Sequence, residues 1–288
     1  MHTAAAAVIG LFLIGVPNAL ALPAGVGALQ WNDEFDGTSI DSTKWSCYTP
    51  GVWSDAVNTP SAASVAGGVM KISTYTESGT NYTSVWSTKD KYFFPYGYFE
   101  ARVQFNTSPG MWSAFYLQSP TNGQPVGSPA TAGTEIDVVE HRAVNDLGAV
   151  RTNYTTTALH WDGYGANEQS TSQLNGPLAG LGNGSWHTYG LLWTPDSYTF
   201  YYDDGIIGTW TTPVSQRTEY LLLSSEVENN SWAGNIPTGG YGTAATSTTN
   251  VQYDYVRVYS VPEPMAGGLV LLALMAAGRR REGRGMAR

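Results

Sequence analysis

Short runs in which apolar and polar side chains alternate constrain the fold of this chain more than any other feature. In residues 98–105 every second residue is apolar, which is the pattern of a strand with one buried face. Residues 198–210 predict a hairpin with its turn at residues 203–205, and residues 251–259 predict a further strand. We find no long amphipathic helix among these runs. The sequence therefore predicts an all-β fold of antiparallel strands, a two-sheet β-sandwich or jelly roll.

Stretches rich in proline and glycine separate the predicted strands. Residues 119–133 and 163–184 have this composition and are predicted to be loops. Residues 22–260 contain no low-complexity linker and no internal repeat. We therefore expect one domain over residues 22–260.

The composition argues against several classes of function. The net charge is −9, so the chain lacks the surplus of lysine and arginine that neutralises phosphates, and we expect no nucleic-acid partner. The same charge is compatible with a neutral, hydroxyl-rich ligand. Cys47 is the single cysteine, which excludes an internal disulfide. Ten tryptophans and eighteen tyrosines suit a β-rich extracellular domain better than a helical cytosolic enzyme.

The amino-terminal residues have the pattern of an export signal. Residues 4–16 form an apolar run that is too short for a stable membrane span. Ala19 and Ala21 then give the small-x-small pattern that signal peptidase cleaves. The sequence predicts a signal peptide over residues 1–21.

The carboxyl-terminal residues 261–288 hold a Pro-Glu-Pro triplet, an apolar stretch over residues 265–278 and an arginine cluster that begins at Arg279. This order resembles the PEP-CTERM sorting signal of Gram-negative bacteria. An apolar helix of that length spans about 21 Å, short of the roughly 30 Å hydrocarbon core, so we expect only a transient membrane association. The resemblance implies cleavage by an exosortase, export across the inner membrane, and a final place at the cell surface or in the extracellular matrix.

Three carboxylates lie close together in an otherwise apolar strand. Residues 133–141 read Gly-Thr-Glu-Ile-Asp-Val-Val-Glu-His, with the acids at Glu135, Asp137 and Glu140. In a regular strand Glu135 and Asp137 share one face and Glu140 points to the other. One β-bulge in residues 138–139 returns Glu140 to the face of Glu135. The bulge would place all three acids on one surface.

The spacing of the two glutamates suits glycosidase chemistry. Four strand steps separate their Cα atoms by about 13 Å, and both side chains can lean inward, which leaves roughly 5 Å between the carboxyl groups. Two close carboxylates do not ionise together easily, so one acts as the acid and the other as the nucleophile. A solvated acidic surface and a calcium cluster are the alternatives.

This string resembles the signature of glycoside hydrolase family 16, in its bulged, laminarinase-like form. Further blocks resemble the family in the same order, and they are found at residues 29–37, 87–102, 110–116, 187–196 and 254–259. The resemblance implies a jelly roll with a concave substrate cleft. It also implies a retaining endo-glycosidase that needs no cofactor for catalysis. Glu135 would be the nucleophile, Asp137 its modulating partner and Glu140 the general acid/base.

The resemblance also suggests residues that contact the substrate. Trp112 would stack on a sugar beside the cleaved bond, and Tyr116 stands where the family usually has a second tryptophan. His160 matches a family histidine near the catalytic strand, with a core position as the alternative. Trp161 is either a stacking residue or a buried one. Two departures from the family, Trp86 and Glu226, are the remaining candidates.

Family members often bind a structural Ca²⁺ on the side away from catalysis. The matching ligands here would be the carboxylates of Glu34 and Asp254 and a backbone carbonyl near Gly68. Oxygen ligands suit Ca²⁺. The alternative is that these are ordinary surface acids.

The substrate expected from the resemblance is a β-1,3- or mixed-linkage β-glucan. A transglycosylase, a galactan hydrolase acting on agar- or carrageenan-type polymers, and a non-catalytic carbohydrate-binding matrix protein are the alternatives. We expect a monomer. The sequence leaves open the linkage, the choice between hydrolysis and transfer, and the biological role.

Overall fold

The computed structural model of the chain describes residues 22–121 and 123–261. The predicted signal peptide and residues 262–288 of the predicted sorting segment lie outside these ranges. A 3₁₀ turn spans Pro60–Ala62 and a short helix, α1, spans Pro129–Ala132. The strands are β1 (Leu29–Asp33), β2 (Ser46–Cys47), β3 (Gly51–Trp53), β4 (Ala56–Asn58), β5 (Ala63–Ala66), β6 (Val69–Ser73), β7 (Tyr75–Glu77), β8 (Thr80–Thr83), β9 (Val85–Ser87), β10 (Gly97–Asn106), β11 (Met111–Gln118), β12 (Glu135–Arg142), β13 (Thr155–Trp161), β14 (Gln169–Asn175), β15 (Trp186–Trp193), β16 (Tyr198–Tyr202), β17 (Gly205–Trp210), β18 (Tyr220–Val227) and β19 (Asn250–Tyr259).

Two large antiparallel sheets form the fold. The eight-stranded sheet has the order β17-β16-β15-β10-β19-β6-β5, with β1 also paired to β19. The seven-stranded sheet has the order β14-β13-β12-β11-β18-β9-β2. A smaller sheet, β3-β4-β8-β7, completes the described strands. This architecture confirms the predicted β-sandwich jelly roll.

The main core lies between the two large sheets, and the alternation of the strands fills it. Phe99, Ala101, Val103 and Phe105 of β10 are all buried in it, as the period of two predicts. The predicted hairpin forms from β16 and β17, with Asp203 in the left-handed backbone region at the turn. The residues that face away from this core on the seven-stranded sheet are the ones available for a site.

Strand β12 contains the predicted bulge. Its pairing with β11 and with β13 shifts register between Asp137 and Glu140. Val138 and Val139 are 1% and 0% exposed and both lie in the core between the sheets. Two successive side chains on the core side are the signature of an extra residue in the strand. The alternation then resumes, so that Glu140 faces outward.

One expected loop proves to contain a strand. Residues 163–184 include β14, which pairs with β13 at the edge of the seven-stranded sheet. Its side chains are polar and largely exposed, so the apolar alternation that marks a half-buried strand is missing. The other expected loop, residues 119–133, contains the single turn of α1 at its end. Neither helix in the described part of the chain has the length and apolar character needed to cross a membrane.

Gly133 connects α1 to the start of β12 and tolerates no side chain. Its φ is 82°, and a Cβ there would lie 2.5 Å from the Ser119 Oγ. Gly127 is the matched control because its φ is 78° and the space around it is open. We expect Gly133→Ala to lower Tm in thermal unfolding by roughly 5–10 °C, through steric overlap added to backbone strain. The Gly127→Ala substitution should lower Tm by a clearly smaller amount. Equal losses in the two variants would contradict the steric contribution.

Candidate active site

The outer face of the seven-stranded sheet carries four acidic side chains, which we call the acidic face. Glu135, Asp137 and Glu140 lie on β12, where the bulge turns all three away from the core. Glu226 lies on β18, which is separated from β12 by β11. Burial, followed by the negative charge of Glu135, raises the pKa of Glu226 to about 7, in keeping with a shared surface. The bulge therefore creates a compact group of acids.

Glu135 accepts hydrogen bonds from two side chains. The Gln118 Nε2 donates to the Glu135 Oε2 over 2.7 Å, and the Tyr164 hydroxyl donates to the same oxygen. Burial raises the pKa of Glu135, whereas the hydrogen bond from Tyr164 and the charge of His160 act in the opposite direction. Donors of this kind stabilise a carboxylate in its ionised form.

Asp137 lies beside Glu135 and is held by an imidazole. His160 pairs with Glu135 across the strands, and its Nε2 lies 3.5 Å from the Asp137 Oδ2. The other ring nitrogen, Nδ1, lies 2.8 Å from the Glu168 Oε1, so the ring bridges two carboxyl groups. Burial and the charges of Glu135 and Glu140 raise the pKa of Asp137. The histidine that the resemblance singles out thus lies on the acidic face rather than in the core.

Ionisation is also unfavourable at Glu140. Burial, followed by the charges of Glu135 and Glu226, raises the pKa of Glu140 to about 8, while the Arg142 guanidinium acts in the opposite direction. At neutral pH Glu140 therefore keeps its proton, which a general acid requires. Glu135, with its two donors, suits the part of the ionised nucleophile.

Glu219 is a fully buried acid that fixes the start of β12. Its Oε1 accepts a hydrogen bond of 2.9 Å from the Thr134 backbone N–H. Burial raises the pKa of Glu219 to about 8, so the side chain is neutral at pH 7. Because Thr134 precedes Glu135, this contact sets the backbone that carries the first acid.

Aromatic side chains border the acids. Trp112 on β11 is partly exposed, and its ring meets that of Trp232 edge to face at 5.7 Å. The Arg142 guanidinium lies 4.1 Å from the Trp232 ring centroid. Tyr116 is 6% exposed and packs with Tyr220 in a cluster on this side of the sheet. Exposed indole rings beside carboxyl groups are suited to contact the apolar faces of sugar rings.

The structure corrects one predicted substrate contact and qualifies another. Trp86 lies in the core between the sheets and is 9% exposed, so it does not reach the acidic face. Its neighbour Val85 is the residue of β9 that faces outward. Trp161 is partly buried against the core, and it also lines a small pocket beside Glu135 and His160.

The predicted calcium ligands do not fit a cation. Glu34 accepts two hydrogen bonds, of 2.9 and 2.8 Å, from the guanidinium of Arg257, which lowers the pKa of Glu34. Asp254 pairs with the Arg102 Nη1 at 2.7 Å. Gly68 lies in a turn before β6. Each carboxylate is already neutralised by an arginine, so Ca²⁺ would have to displace a guanidinium from both.

One potential metal-ligand atom from each of Glu135, Asp137 and His160 lies within 4.8 Å of the other two, a spacing that could hold a metal ion. The pairing of β12 with β13 is enough to bring these three side chains together without an ion. The Glu135 carboxylate also accepts two hydrogen bonds already. We therefore assign no ion to this group.

Several residues reach the acidic face that the sequence patterns did not single out. Gln118 continues the outward side of β11 two residues after Tyr116, so the period of two could have identified it. Arg142 follows Glu140 by two residues on β12 and could have been identified in the same way. The others come from loops, and no pattern marks them: Tyr164, Glu168 and Trp232.

Comparison with known proteins gives a consistent set of relatives. A family model described as Beta-porphyranase A-D, GH16 domain, matches residues 28–261. The chain is 26% identical to a glucan endo-1,3-beta-glucosidase A1 of Niallia circulans, in an alignment that covers 85% of this chain. It is 29% identical over 64% of its length to the endo-1,3-1,4-beta-glycanase ExsH of Rhizobium meliloti. It spans only 39% and 34% of the lengths of these two relatives.

Solved structures share the fold. The endo-beta-1,3-glucanase from Pyrococcus furiosus aligns with a TM-score of 0.66 at 22% identity, over 85% of this chain and 98% of that one. Porphyranase B from Zobellia galactanivorans aligns with a TM-score of 0.63 at 20% identity, over 80% of this chain and 90% of that one.

The crowding of the acids predicts a cost in stability that depends on pH. In the unfolded chain Glu140 ionises near its ordinary pKa of 4.5, whereas in the fold its pKa is about 8. Stability is therefore lost as pH rises from 4.5 towards 8. We expect Glu140→Gln to match wild type in Tm at pH 4.5 and to exceed it by a few degrees at pH 8, in thermal unfolding followed by circular dichroism. Glu77→Gln on β7 is the control, and a Glu140→Gln gain independent of pH would contradict this account.

Proposed function

This chain belongs to glycoside hydrolase family 16, and we propose that it cleaves internal β-glycosidic bonds of a polysaccharide with retention of configuration. The observation that carries the proposal is the bulge in β12, which brings Glu135 and Glu140 onto one face. Carboxyl groups on the same strand face, four steps apart, suit the roughly 5 Å separation of retaining enzymes. The curated relatives are much longer than the part that aligns with this chain, so the proposal is made for this chain alone and not for their whole activities.

The reaction follows from the protonation of the two glutamates. Glu140 gives its proton to the glycosidic oxygen while the Glu135 carboxylate attacks the anomeric carbon, so the C–O bond breaks as a glycosyl ester forms. Glu140, now ionised, takes a proton from water, which attacks the same carbon and releases Glu135. Asp137 and His160 lie beside Glu135, with one polar atom of each of the three side chains within 4.8 Å of the others.

The substrate that we propose is a β-1,3- or mixed-linkage β-glucan. The names of the Niallia and Rhizobium relatives support this choice. The charge of the site supports it too, because four acids on one face disfavour sulfated or carboxylated sugars. Arg142, a cation at this face, is engaged by the ring and the backbone carbonyl of Trp232.

A galactan is the second candidate. The matching family model carries the description Beta-porphyranase A-D, GH16 domain. A keratan-sulfate endo-1,4-beta-galactosidase of Sphingobacterium multivorum is 26% identical to this chain over 81% of its length. These are the observations that favour it.

We also propose that the domain works outside the cell. The apolar run and small residues of 1–21 support cleavage by signal peptidase, and the Pro-Glu-Pro triplet with its arginines supports processing by an exosortase. Residues 265–278 would associate with the inner membrane of a Gram-negative bacterium before release to the surface or matrix. We propose a monomer.

The roles of the two glutamates can be separated with azide. Glu135→Ala and Glu140→Ala should each lower release of reducing ends by at least about 10³-fold. On a dinitrophenyl β-glycoside, azide should rescue Glu140→Ala and give the β-azide, because it intercepts the glycosyl-enzyme. With Glu135→Ala it should give the α-azide through a single displacement. NMR of the products distinguishes the two anomers. The same anomer from both variants would rule out the assigned roles, and Glu77→Gln should retain wild-type activity.

A panel of polysaccharides tests the substrate. We expect the full chain to release oligosaccharides from laminarin and from mixed-linkage β-glucan, measured by chromatography of the products. Cleavage of agarose or porphyran, with both glucans untouched, would select the galactan. Products longer than a defined starting oligosaccharide would indicate transfer to a sugar hydroxyl instead of water.

A further inference from the structure

Tyr164 lies in the loop between β13 and β14 and reaches back over β12. Its hydroxyl donates to the Glu135 Oε2, and the Gln118 Nε2 donates both to that oxygen and to the Tyr164 hydroxyl. The three side chains therefore form a closed ring of hydrogen bonds around one carboxylate oxygen. No other hydrogen bond to Glu135 from a side chain of the described residues accompanies these two.

The amide of Gln118 is oriented by a second layer of hydroxyl groups. Its Oε1 accepts hydrogen bonds from Tyr220, which is fully buried, and from Tyr48. An amide whose oxygen is used in this way must present its N–H₂ group to Glu135. The ring of hydrogen bonds is thus supported from the sheet side, and Tyr164 closes it from the loop side.

The loop is anchored at both ends, although the Tyr164 side chain is 56% exposed. Before Tyr164, the Asp162 Oδ1 accepts a hydrogen bond of 2.8 Å from the Gly127 backbone N–H. After it, the Glu168 carboxylate holds the His160 Nδ1 at 2.8 Å. These two contacts fix the span from which Tyr164 extends, so its position over Glu135 is built into the fold.

A nucleophilic carboxylate needs one oxygen free for attack and needs to stay ionised. Two donors on Oε2 leave Oε1 without a side-chain hydrogen bond and stabilise the negative charge. Although Tyr164 as a whole is largely exposed, its hydroxyl end lies against Glu135. Burial of that end, followed by the charge of Glu135, raises the pKa of Tyr164, so the hydroxyl remains a donor across the working pH range. A phenol is therefore an apt donor at this position.

We propose that Tyr164 is a positioning residue for the nucleophile: it donates to the Oε2 of Glu135 and so keeps Glu135 ionised with its Oε1 directed at the anomeric carbon. The inference rests on the proposed retaining mechanism. It assigns to the β13–β14 loop a direct part in the first chemical step, beyond any contact with the sugar.

Other charges around Glu135 bear on its titration and must be held constant in any test. The titratable groups that face it come from each neighbouring element, and they are Asp137 and Glu140 on β12, Tyr116 on β11, His160 on β13, Glu168 in the loop, Glu219 before β18, and Tyr220 and Glu226 on β18. Tyr164→Phe leaves all of these in place and removes a single hydroxyl. Loss of that donor raises the pKa of Glu135, so the acid limb of kcat/KM should move to higher pH.

The test uses the full chain with Tyr164→Phe and, as control, Tyr92→Phe on the loop after β9. A 2-deoxy-2-fluoro β-glycoside with a dinitrophenyl leaving group traps the glycosyl-enzyme and needs no proton from Glu140. The trapping rate, measured by intact mass, therefore isolates attack by Glu135. We expect Tyr164→Phe to slow trapping about tenfold or more and to move the acid limb up by about one pH unit, with Tm unchanged. Tyr92→Phe should match wild type in all three measurements.

Two results overturn the inference. A trapping rate and acid limb equal to wild type in Tyr164→Phe, or a change confined to KM, would show that the hydroxyl does not act on Glu135. Tyr164→Ala serves as the second variant: if it slows trapping while Tyr164→Phe does not, the ring rather than the hydroxyl matters and the inference fails. Wild type that is never trapped by any such glycoside would instead overturn the proposed function itself.

Discussion

The extra residue in β12 is the feature on which the site depends. Val138 and Val139 both enter the core, and burying each side chain contributes about 1.5–3 kcal/mol. A slip of the strand by one residue would expose these valines and turn carboxylates into the core, where an unpaired charge costs several kcal/mol. The packing between the sheets therefore fixes which face the acids occupy. Chemistry on the outer face is specified by apolar contacts on the inner one.

Concentrating acids on one face works against stability, and the structure offsets part of that cost. Glu140 keeps its proton near neutral pH, so the face carries less charge than its composition suggests. Gln118 and Tyr164 donate to Glu135, and His160 lies between Asp137 and Glu168. The same contacts that reduce repulsion also divide the two glutamates into a proton donor and an ionised nucleophile. Stability and function are linked here through protonation.

The sequence predicts the regular parts of the molecule well because periodicity reports burial. Strand β10 follows from the spacing of apolar residues, and the bulge of β12 follows from the spacing of its three acids. The prediction is wrong for Trp86 because β9 has three residues, too few for alternation to show which side is the core. It also misses β14, an exposed edge strand whose polar side chains carry no alternation.

Contacts between residues far apart in the chain account for what the sequence patterns did not indicate. Glu34 carries a carboxylate of the kind that binds cations. Its partner is the guanidinium of Arg257 on β19, at the other end of the described chain, and no local pattern indicates that pairing. Tyr164 and Trp232 belong to loops whose course is set by anchoring contacts rather than by a local pattern. The acids of β12 follow from the register of one strand, whereas the groups that direct them come from loops closing over the sheet. Differences in substrate among proteins of this fold can therefore arise in those loops while the catalytic strand stays unchanged.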